Sequence, residues 1–390
     1  MTRLETPESF NLPPPEDDAC DLLIIAGEHS GDEQAARMMR RVLEKNPDLR
    51  VCALGGKALK RVGVQLLFDM TKFSVVGLME VLKNYSYFKK LLAEVYEWIA
   101  KYKPRAVCFV DYPGFNLELA RMLKSGGLSK KGGGSVKLLY YISPQIWAWK
   151  AHRRFKMAEL LDELAVIFPF ETKCYADTTL DTTFVGHPFL SPEYESKFYY
   201  DKDGPILFMP GSRKIAVGKI FPIMLRTLRL LEGQRALVPY PSKGILEVLE
   251  QALEKFPDLK QRVSLQKISH LDKIGAKAVL MSSGTISLEA CLQGIPGAIV
   301  YRANPITYVV GRLLVAVDYL GIANILLDRP AWPEFIQGAA RPRAIAKRMR
   351  ECCEDEQVIN QAQSDSKTLR SMLKNKSDCS VSDWLLRSLD

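Results

Sequence analysis

The stretch that most constrains the fold is residues 278–296, where an apolar run stops at Ser-Ser-Gly-Thr and a helical pattern begins at once. This order predicts a strand, a tight turn and a helix N-terminus capped by a serine or threonine. The unpaired N–H groups of such a first turn suit a phosphate. Glu289 lies one turn past Thr285 on the same side, where its carboxylate can accept hydrogen bonds from ribose hydroxyls. A capped crossover helix without a ligand fits the same pattern.

The chain has 390 residues, of which 47% are hydrophobic. This length exceeds one ordinary domain and suits two, each able to bury its own core. The sequence has no uninterrupted apolar run of about 18 residues. Residues 1–19 are polar and proline-rich and lack the apolar segment of a signal peptide. We therefore expect a globular two-domain protein of the cytosol, preceded by a flexible tail.

The formal net charge of +9 favours an anionic partner, which can be nucleic acid, an acidic membrane surface or a phosphorylated substrate. The 8 cysteines form no CxxC pair and no cluster with zinc spacing, so reduced thiols are expected. Residues 201–203, Asp-Lys-Asp, have the DxD form of some metal-dependent sugar-nucleotide enzymes. Because they lie in a linker before a strand, we interpret this match as chance. No metal and no cofactor is predicted.

Two further strand ends carry polar side chains. The apolar residues 21–26 precede Gly-Glu-His-Ser-Gly-Asp and a helical pattern, and the glycines lack the GxGxxG spacing of a dehydrogenase cofactor site. Ser30 and Asp32 can cap that helix or hold a sugar or phosphate. The strand predicted over residues 106–111 ends in Asp111. Its carboxylate can act as general base on an acceptor hydroxyl, or it can cap the next helix or stabilise the loop before it.

Three stretches have surface interpretations. Residues 73–92 mix apolar side chains with lysines, which is typical of a helix on an anionic bilayer and also of a buried amphipathic helix. Residues 143–154 interleave tryptophans with basic residues, which suits single-stranded nucleic acid or a cleft for a phosphorylated sugar. We favour the cleft, because the stretch follows a strand directly and no nucleic-acid module is evident. Residues 125–135 are predicted to be a flexible insertion without core-forming residues.

The pattern restarts after a linker predicted over residues 190–204. A strand at 205–209 leads into Pro-Gly-Ser-Arg, whose Arg213 can pair with a diphosphate in bidentate fashion. Two α/β halves with ligand-suited turns predict two Rossmann-like domains facing a cleft. We place these domains at residues 20–195 and 196–345. Residues 346–390 are predicted to form helices that pack back on the first domain.

Eight motifs, occurring in one order, resemble the lipid A disaccharide synthase family. They occupy residues 26–32, 77–82, 143–149, 184–188, 210–213, 283–289, 301–302 and 324–327. The resemblance implies a metal-independent, inverting glycosyltransferase of the GT-B type. It would join UDP-2,3-diacylglucosamine to 2,3-diacylglucosamine 1-phosphate (lipid X) and release UDP. It implies a peripheral protein on the inner face of the inner membrane, without a nucleic-acid partner and compatible with a homodimer.

The resemblance also implies roles for individual residues. Asp111 matches the family's essential aspartate, best interpreted as general base on the acceptor 6-hydroxyl. The residues implied in UDP binding are Gly211, Ser212, Arg213, Ser283, Gly284, Thr285, Glu289 and Asn324. Those on the acceptor side are Glu28, Ser30, Gly31 and Asp32, and those in contact with the membrane are Val76, Leu78, Met79 and Leu82. His29 is not predicted to be catalytic, and His187 is predicted to stabilise the cleft rather than react.

Two other classes of protein remain open. Another GT-B enzyme, an N-acetylglucosaminyltransferase acting on a lipid-linked peptidoglycan precursor, would share the UDP half and differ at residues 28–32 and 76–92. A non-catalytic UDP-sugar-binding protein, with a nucleic-acid surface built on the positive charge, would bind UDP and release none. The presence of Asp111, Arg213 and Glu289 argues against the latter.

Overall fold

The computed structural model describes residues 10–73, 85–270, 273–304, 317–374 and 379–390. The chain forms two compact units. The first unit comprises Met1–Glu193 and Leu373–Asp390, and the second comprises Tyr194–Met372.

The first unit is built on a seven-stranded parallel sheet in the order β3-β2-β1-β4-β5-β6-β7. Its strands are β1 (Leu22–Ala26), β2 (Val51–Gly55), β3 (Gln65–Asp69), β4 (Ala106–Val110), β5 (Lys137–Tyr141), β6 (Glu163–Val166) and β7 (Asp181–Phe184). The helices along this part of the chain are α1 (His29–Lys45), α2 (Lys57–Arg61), α3 (Tyr85–Tyr102), α4 (Pro113–Ser125), α5 (Arg153–Leu160) and α6 (Glu171–Cys174). The strand order reverses between β1 and β4, which is the position where open α/β sheets bind ligands.

The second unit repeats this plan. Its main sheet has six parallel strands in the order β11-β10-β9-β13-β14-β15, and β8 pairs with β12 in a separate two-stranded sheet. The strands are β8 (Phe198–Tyr200), β9 (Ile206–Met209), β10 (Ala236–Tyr240), β11 (Val263–Lys267), β12 (Ile274–Ala276), β13 (Ala278–Met281), β14 (Gly297–Tyr301) and β15 (Glu334–Ile336). The helices are α7 (Lys214–Arg229), α8 (Lys243–Leu253), α9 (Thr285–Leu292), α10 (Ile322–Leu327), α11 (Pro342–Glu354) and α12 (Glu356–Leu373). Here the order reverses between β9 and β13.

The last helix, α13 (Val381–Leu389), belongs to the first unit. It begins with a capping box in which the Ser380 side chain accepts from the Asp383 N–H and the Asp383 side chain accepts from the Ser380 N–H. Its buried Trp384 and Leu385 lie in the core formed by one face of the first sheet with α1 and α2. The opposite face of the same sheet packs against α3, α4 and α5.

Successive side chains of β1 alternate between two hydrophobic cores, one on each face of the first sheet. Leu23 and Ile25 lie in the core with α3 to α5, whereas Leu22 and Ile24 lie in the core with α1 and α13. Successive side chains of a strand point to opposite faces, so a continuous apolar run is what a doubly covered parallel strand requires.

Three sequence predictions differ from the structure. The segment predicted to be a linker at 190–204 contains β8. This strand pairs with β12, and its Phe198 is buried. The insertion at 125–135 does contribute to the core: Ser129 is fully buried, and Leu128 packs against the core of α3 to α5. Of the C-terminal helices, α11 and nearly all of α12 lie in the second unit, where the Ser366 hydroxyl donates to the Leu292 carbonyl oxygen at 2.6 Å.

Candidate functional site

Asp111 follows β4 directly, at the strand-order reversal of the first sheet. Both Asp111 and Tyr112 have a φ of 49°, a left-handed conformation that non-glycine residues seldom adopt. The Asp111 N–H donates to the Tyr141 carbonyl oxygen at 3.0 Å. The Asp111 carbonyl oxygen accepts from Asn116 Nδ2 at 2.7 Å and from the Tyr140 hydroxyl at 2.6 Å. Both the N–H and the carbonyl oxygen of Asp111 are therefore hydrogen-bonded.

The environment of the Asp111 carboxyl suits a general base. Burial and, to a lesser extent, the negative charge of Glu28 raise its pKa to about 6, with the Tyr112 N–H partly opposing both effects. A carboxyl group with this pKa is ionised at neutral pH and is more basic than an exposed aspartate. Its side chain does not cap α4, whose N-cap residue is Tyr112. Glu28 follows β1, the neighbour of β4, so adjacent strand ends bring the two acids together.

The other predicted acceptor residues divide into exposed and buried groups. Glu28 and Ser30 are exposed, whereas Gly31 is buried where a Cβ would lie 3.5 Å from the Val110 carbonyl oxygen. Asp32 is fully buried. Its Oδ1 accepts from the N–H groups of Gly56 at 2.8 Å and Leu59 at 3.3 Å, and its Oδ2 accepts from the Ala58 N–H at 2.9 Å.

These bonds satisfy the first N–H groups of α2, so Asp32 caps a neighbouring helix rather than its own. The prediction that Asp32 faces the acceptor is therefore corrected. The Asp32 carboxylate has no exposed surface, and both of its oxygens accept hydrogen bonds within the chain. Its role is therefore structural.

Two predicted UDP-binding turns meet at the strand-order reversal of the second sheet. The Ser282 N–H donates to the Met209 carbonyl oxygen at 2.8 Å, which joins the end of β13 to the end of β9. Gly211 has a φ of +108°, and a Cβ there would lie 3.1 Å from Ser282 Oγ. Ser212 and Arg213 are exposed, and Arg213 is the N-cap residue of α7. The structure thus brings residues 211–213 next to residues 282–284.

The start of α9 differs in detail from the prediction. Its N-cap residue is Gly284, which has no side chain, so the predicted serine or threonine cap is wrong. Thr285 is the first helical residue, and the Ser287 hydroxyl donates to the Gly284 carbonyl oxygen. The turn before α9 therefore presents backbone groups, which leaves room for a ligand to approach closely.

Glu289 and Asn324, both predicted to contact UDP, are bonded within the second unit. Glu289 Oε1 accepts from the Ser196 hydroxyl at 2.9 Å and the Lys197 N–H at 3.3 Å, which holds the start of β8. Asn324 is fully buried. Its Nδ2 donates to the Trp332 carbonyl oxygen at 2.8 Å and to Glu334 Oε1 at 2.9 Å, and its Oδ1 accepts from the Trp332 N–H at 2.9 Å.

The amide of Asn324 thus has both N–H groups and its oxygen occupied. The prediction that its side chain binds UDP is corrected: the residue holds α10 against the segment leading into β15. Glu334, which sequence reasoning missed, also accepts from the N–H groups of Leu320 and Gly321 at 2.9 Å and 2.8 Å. No sequence motif identified Glu334, because the N–H groups that donate to it belong to a separate segment.

A buried cluster lies beyond β6 in the first unit. His187 Nδ1 accepts from the Phe189 N–H at 3.1 Å, and burial lowers its pKa to about 3, so the ring is neutral at physiological pH. Burial raises the pKa of Glu171 to about 7. Its carboxylate accepts from the N–H groups of Ile167 and Phe168 and from Trp147 Nε1. The sequence drew attention to His187 and Trp147 but not to Glu171.

The remaining predictions concern surfaces. Val76, Leu78, Met79 and Leu82 lie outside the described residues. Within the described ranges, no helix has the length and hydropathy needed to cross a membrane. Asp201 Oδ1 accepts from the Asp203 N–H at 3.0 Å, so the Asp-Lys-Asp motif forms a local turn.

Two Rossmann-like units, each with polar turns at its strand-order reversal, define the GT-B class of glycosyltransferases. The glycotransferase of kitacinnamycin has the same fold, with a TM-score of 0.61 and 11% identity over 95% of this chain and 100% of that one. At this identity the likeness supports the fold alone.

The sequence comparisons reach the family. The family model for lipid-A-disaccharide synthetase matches residues 22–388. The lipid-A-disaccharide synthase of Coxiella burnetii (strain Dugway 5J108-111) is 34% identical over 334 residues, covering 83% of this chain and 86% of that protein. Lipid-A-disaccharide synthase 1 of Legionella pneumophila (strain Lens) is 32% identical, covering 95% and 98%. The chain belongs to the lipid-A-disaccharide synthase family and is a glycosyltransferase of lipid A biosynthesis.

Proposed function

We propose that the protein transfers 2,3-diacylglucosamine from UDP to the 6-hydroxyl of 2,3-diacylglucosamine 1-phosphate (lipid X). The products are the β-1,6-linked lipid A disaccharide 1-phosphate and UDP. The first unit binds the acceptor through Glu28 and Ser30, and the second binds the donor. The observation that carries this proposal is Asp111, a carboxyl at a strand-order reversal with a pKa raised to about 6.

In this mechanism Asp111 removes the proton of the acceptor 6-hydroxyl as that oxygen attacks the anomeric carbon of the donor. The bond between the anomeric carbon and the diphosphate oxygen breaks, and UDP leaves from the opposite face. The configuration is therefore inverted. The burial that raises the pKa of Asp111 gives it the basicity this step requires.

Negative charge grows on the diphosphate as UDP leaves. The exposed guanidinium of Arg213 and the backbone N–H groups around Gly284 and Thr285 are proposed to stabilise this charge. Ser212 and Ser283 add hydroxyl donors on the same two turns. Because these groups supply positive potential to the leaving diphosphate, the proposed mechanism has no step that uses a metal ion.

Association with the membrane is the second part of the proposal. Both substrates carry acyl chains, which require an apolar surface. We propose that Val76, Leu78, Met79 and Leu82 supply it at the inner face of the inner membrane. Serine at Val76, Leu78 and Leu82 should reduce co-sedimentation with vesicles containing anionic lipid. Leu230→Ser, a substitution at a partly exposed leucine of the second unit, is the matched control. Unchanged sedimentation of the triple variant would refute this surface.

The oligomeric state is a separate proposal. We propose a homodimer, which multi-angle light scattering in detergent would detect as twice the mass of the chain. A single-chain mass over a range of protein concentrations would refute it.

The deciding experiment measures UDP release from UDP-2,3-diacylglucosamine in detergent, with EDTA present, with and without lipid X. Release that depends on lipid X despite the chelator is the expected result. UDP binding without release would refute the proposed reaction. Release that depends on another lipid-linked acceptor would assign the chain a different acceptor and leave the UDP half of the proposal in place.

Two substitutions separate the roles of the units. Asp111→Asn should abolish turnover and leave UDP affinity nearly unchanged, whereas Arg213→Ala should weaken UDP binding. Arg226→Ala removes the same charge from an exposed position near the other end of α7 and should have little effect. Substantial activity in Asp111→Asn would rule out the base assignment.

A further inference from the structure

The turn after β4 contains two successive residues in a conformation that costs free energy. Asp111 and Tyr112 both have a φ of 49°. Side chains other than glycine meet steric conflict in this region, so it persists only where surrounding contacts determine it. Such strain is often found at functional sites. Contacts with other residues must therefore maintain the bend at Asp111 and Tyr112.

Two buried side-chain donors converge on a single acceptor in this bend. Asn116 Nδ2 and the Tyr140 hydroxyl both donate to the Asp111 carbonyl oxygen, at 2.7 Å and 2.6 Å. Since a carbonyl oxygen can only accept, the Asn116 atom that faces it is the amide nitrogen. Tyr140 lies on β5, so one donor comes from α4 and the other from the neighbouring strand. The bend is held from two elements at once.

The position of Asn116 is not explained by stability alone. The side chain is fully buried, and its Oδ1 has no hydrogen-bond partner in the part of the chain that the structure describes. A buried acceptor without a partner is unfavourable for folding. An apolar residue of similar size would avoid this cost but would lose the bond from Nδ2 to Asp111.

The bend also places the next side chain. A Cβ on Gly27 would lie 2.1 Å from the Tyr112 ring, so the ring occupies the space that this glycine leaves open. Gly27 precedes Glu28, whose charge acts on Asp111. The geometry of Asp111 and Tyr112 therefore determines how the loop after β1 and the end of β4 fit together.

We propose that Asn116 and Tyr140 are positioning residues for the transfer reaction: by holding the Asp111 carbonyl they maintain the left-handed bend that orients the Asp111 carboxylate. This inference rests on the proposed function, because it takes Asp111 as the general base. Neither residue touches the reacting atoms. Their effect on catalysis passes through the direction and burial of one carboxylate.

The charged and titratable groups around this carboxylate define its pH dependence. Glu28 acts from the loop after β1, and Tyr112 acts from the same turn through its N–H. On β5, burial and the negative charge of Asp111 raise the pKa of Tyr140, so its hydroxyl stays neutral. Arg153 of α5 acts on Tyr140. If the bend relaxes, the carboxyl of Asp111 becomes better solvated. Its pKa then moves down toward that of an exposed aspartate.

The test compares Tyr140→Phe with Tyr141→Phe. Tyr140→Phe removes only the hydroxyl and retains the buried ring. Tyr141→Phe makes the same change at the next residue of β5, whose buried side chain lies in the opposite core. We expect Tyr140→Phe to lower kcat about ten- to hundredfold, as misplaced catalytic groups do. The KM for the UDP-sugar and the affinity for UDP should not change, and the acidic limb of the kcat profile should move to lower pH. Tyr141→Phe should resemble the original chain.

Asn116→Leu provides a second, independent variant. It should give the same kcat defect and the same shift of the acidic limb. The double variant with Tyr140→Phe should lower kcat by less than the product of the two single fold-decreases, because both donors act on one carbonyl oxygen. UDP affinity, a property of the second unit, should not change, and thermal unfolding followed by circular dichroism reports whether the first unit of each variant is folded.

The outcomes separate this inference from the proposed function. If Asp111→Asn is inactive while Tyr140→Phe and Asn116→Leu keep full kcat and the original pH profile, the positioning role is wrong and the base assignment stands. A lower kcat with an unchanged pH midpoint and a lowered melting temperature would also overturn it, because it indicates a smaller folded fraction. An active Asp111→Asn would remove the base and the inference together.

Discussion

The Ser282 N–H and the Met209 carbonyl oxygen are 2.8 Å apart, and this bond joins the two strand ends at the reversal of the second sheet. It brings the turn containing Gly211 against the turn that precedes α9. Because parallel strands end at one edge, turns far apart in sequence form one surface there. The predictions below begin with this surface.

Gly211→Ala should weaken UDP binding about tenfold or more, because its φ of +108° and the nearby Ser282 Oγ leave no relaxed position for a Cβ. The matched control is Gly233→Ala, which has a φ of +70° with no neighbour within 4 Å. Both variants should lose about 1–2 kcal/mol of unfolding free energy in urea. Calorimetric titration with UDP should show a loss of affinity for Gly211→Ala alone. Equal UDP affinity in the two variants would contradict the proposed contact.

Asn324→Ala should destabilise the protein rather than impair UDP binding directly. It leaves the N–H and C=O groups of Trp332 and the carboxylate of Glu334 without their buried partner. The expected cost is about 2–4 kcal/mol, measured by urea denaturation. Asn360→Ala, at an exposed site on α12, serves as control. A large loss of UDP affinity at unchanged stability would restore Asn324 to the binding site.

Asp32→Asn should destabilise the first unit by about 1–3 kcal/mol. The new amide would place N–H groups against the N–H groups of Gly56, Ala58 or Leu59, which now donate to the carboxylate. Thermal unfolding followed by circular dichroism measures the loss. Asp48→Asn, at an exposed aspartate, should leave the melting temperature unchanged. Should Asp32→Asn prove as stable as the original chain, the capping role would be wrong.

Asp111→Asn should stabilise the protein at pH 8. The folded-state pKa of about 6 lies above the ordinary value of 3.8, so the native state binds more protons between these values. The contribution of this group to stability is therefore complete below pH 3.8 and is lost as the pH rises through about 6. The amide avoids this loss, with a gain of about 1–3 kcal/mol at pH 8.

Urea denaturation at pH 8 and below pH 4 measures this difference. The gain should vanish at the lower pH, where the Asp111 carboxyl is already neutral. Asp181→Asn, at an exposed aspartate, should show no gain at either pH. A gain that is equal at both pH values would indicate an effect unrelated to titration.

Much of the fold was predictable because its signals are local. An apolar run, a turn with glycine or serine and a helical pattern follow one another at β1, β9 and β13, and each order depends on neighbouring residues only. The position of Asp111 at a strand end was predictable for the same reason. The Gly-Ser-Arg turn at residues 211–213 likewise follows from its own sequence and the strand before it.

The amino-acid sequence by itself determined the class of fold, the positions of the polar turns at strand ends and the family. Only the tertiary structure decided what the polar side chains contact, since their partners are distant in sequence. Asp32 caps α2 from 24 residues away, and Tyr140 reaches the Asp111 carbonyl across 29 residues. Local periodicity carries no information about such pairs. They form only when strand order and helix packing bring separate elements together, which is why the contacts of Asp32 and Tyr140 could not be predicted from the sequence.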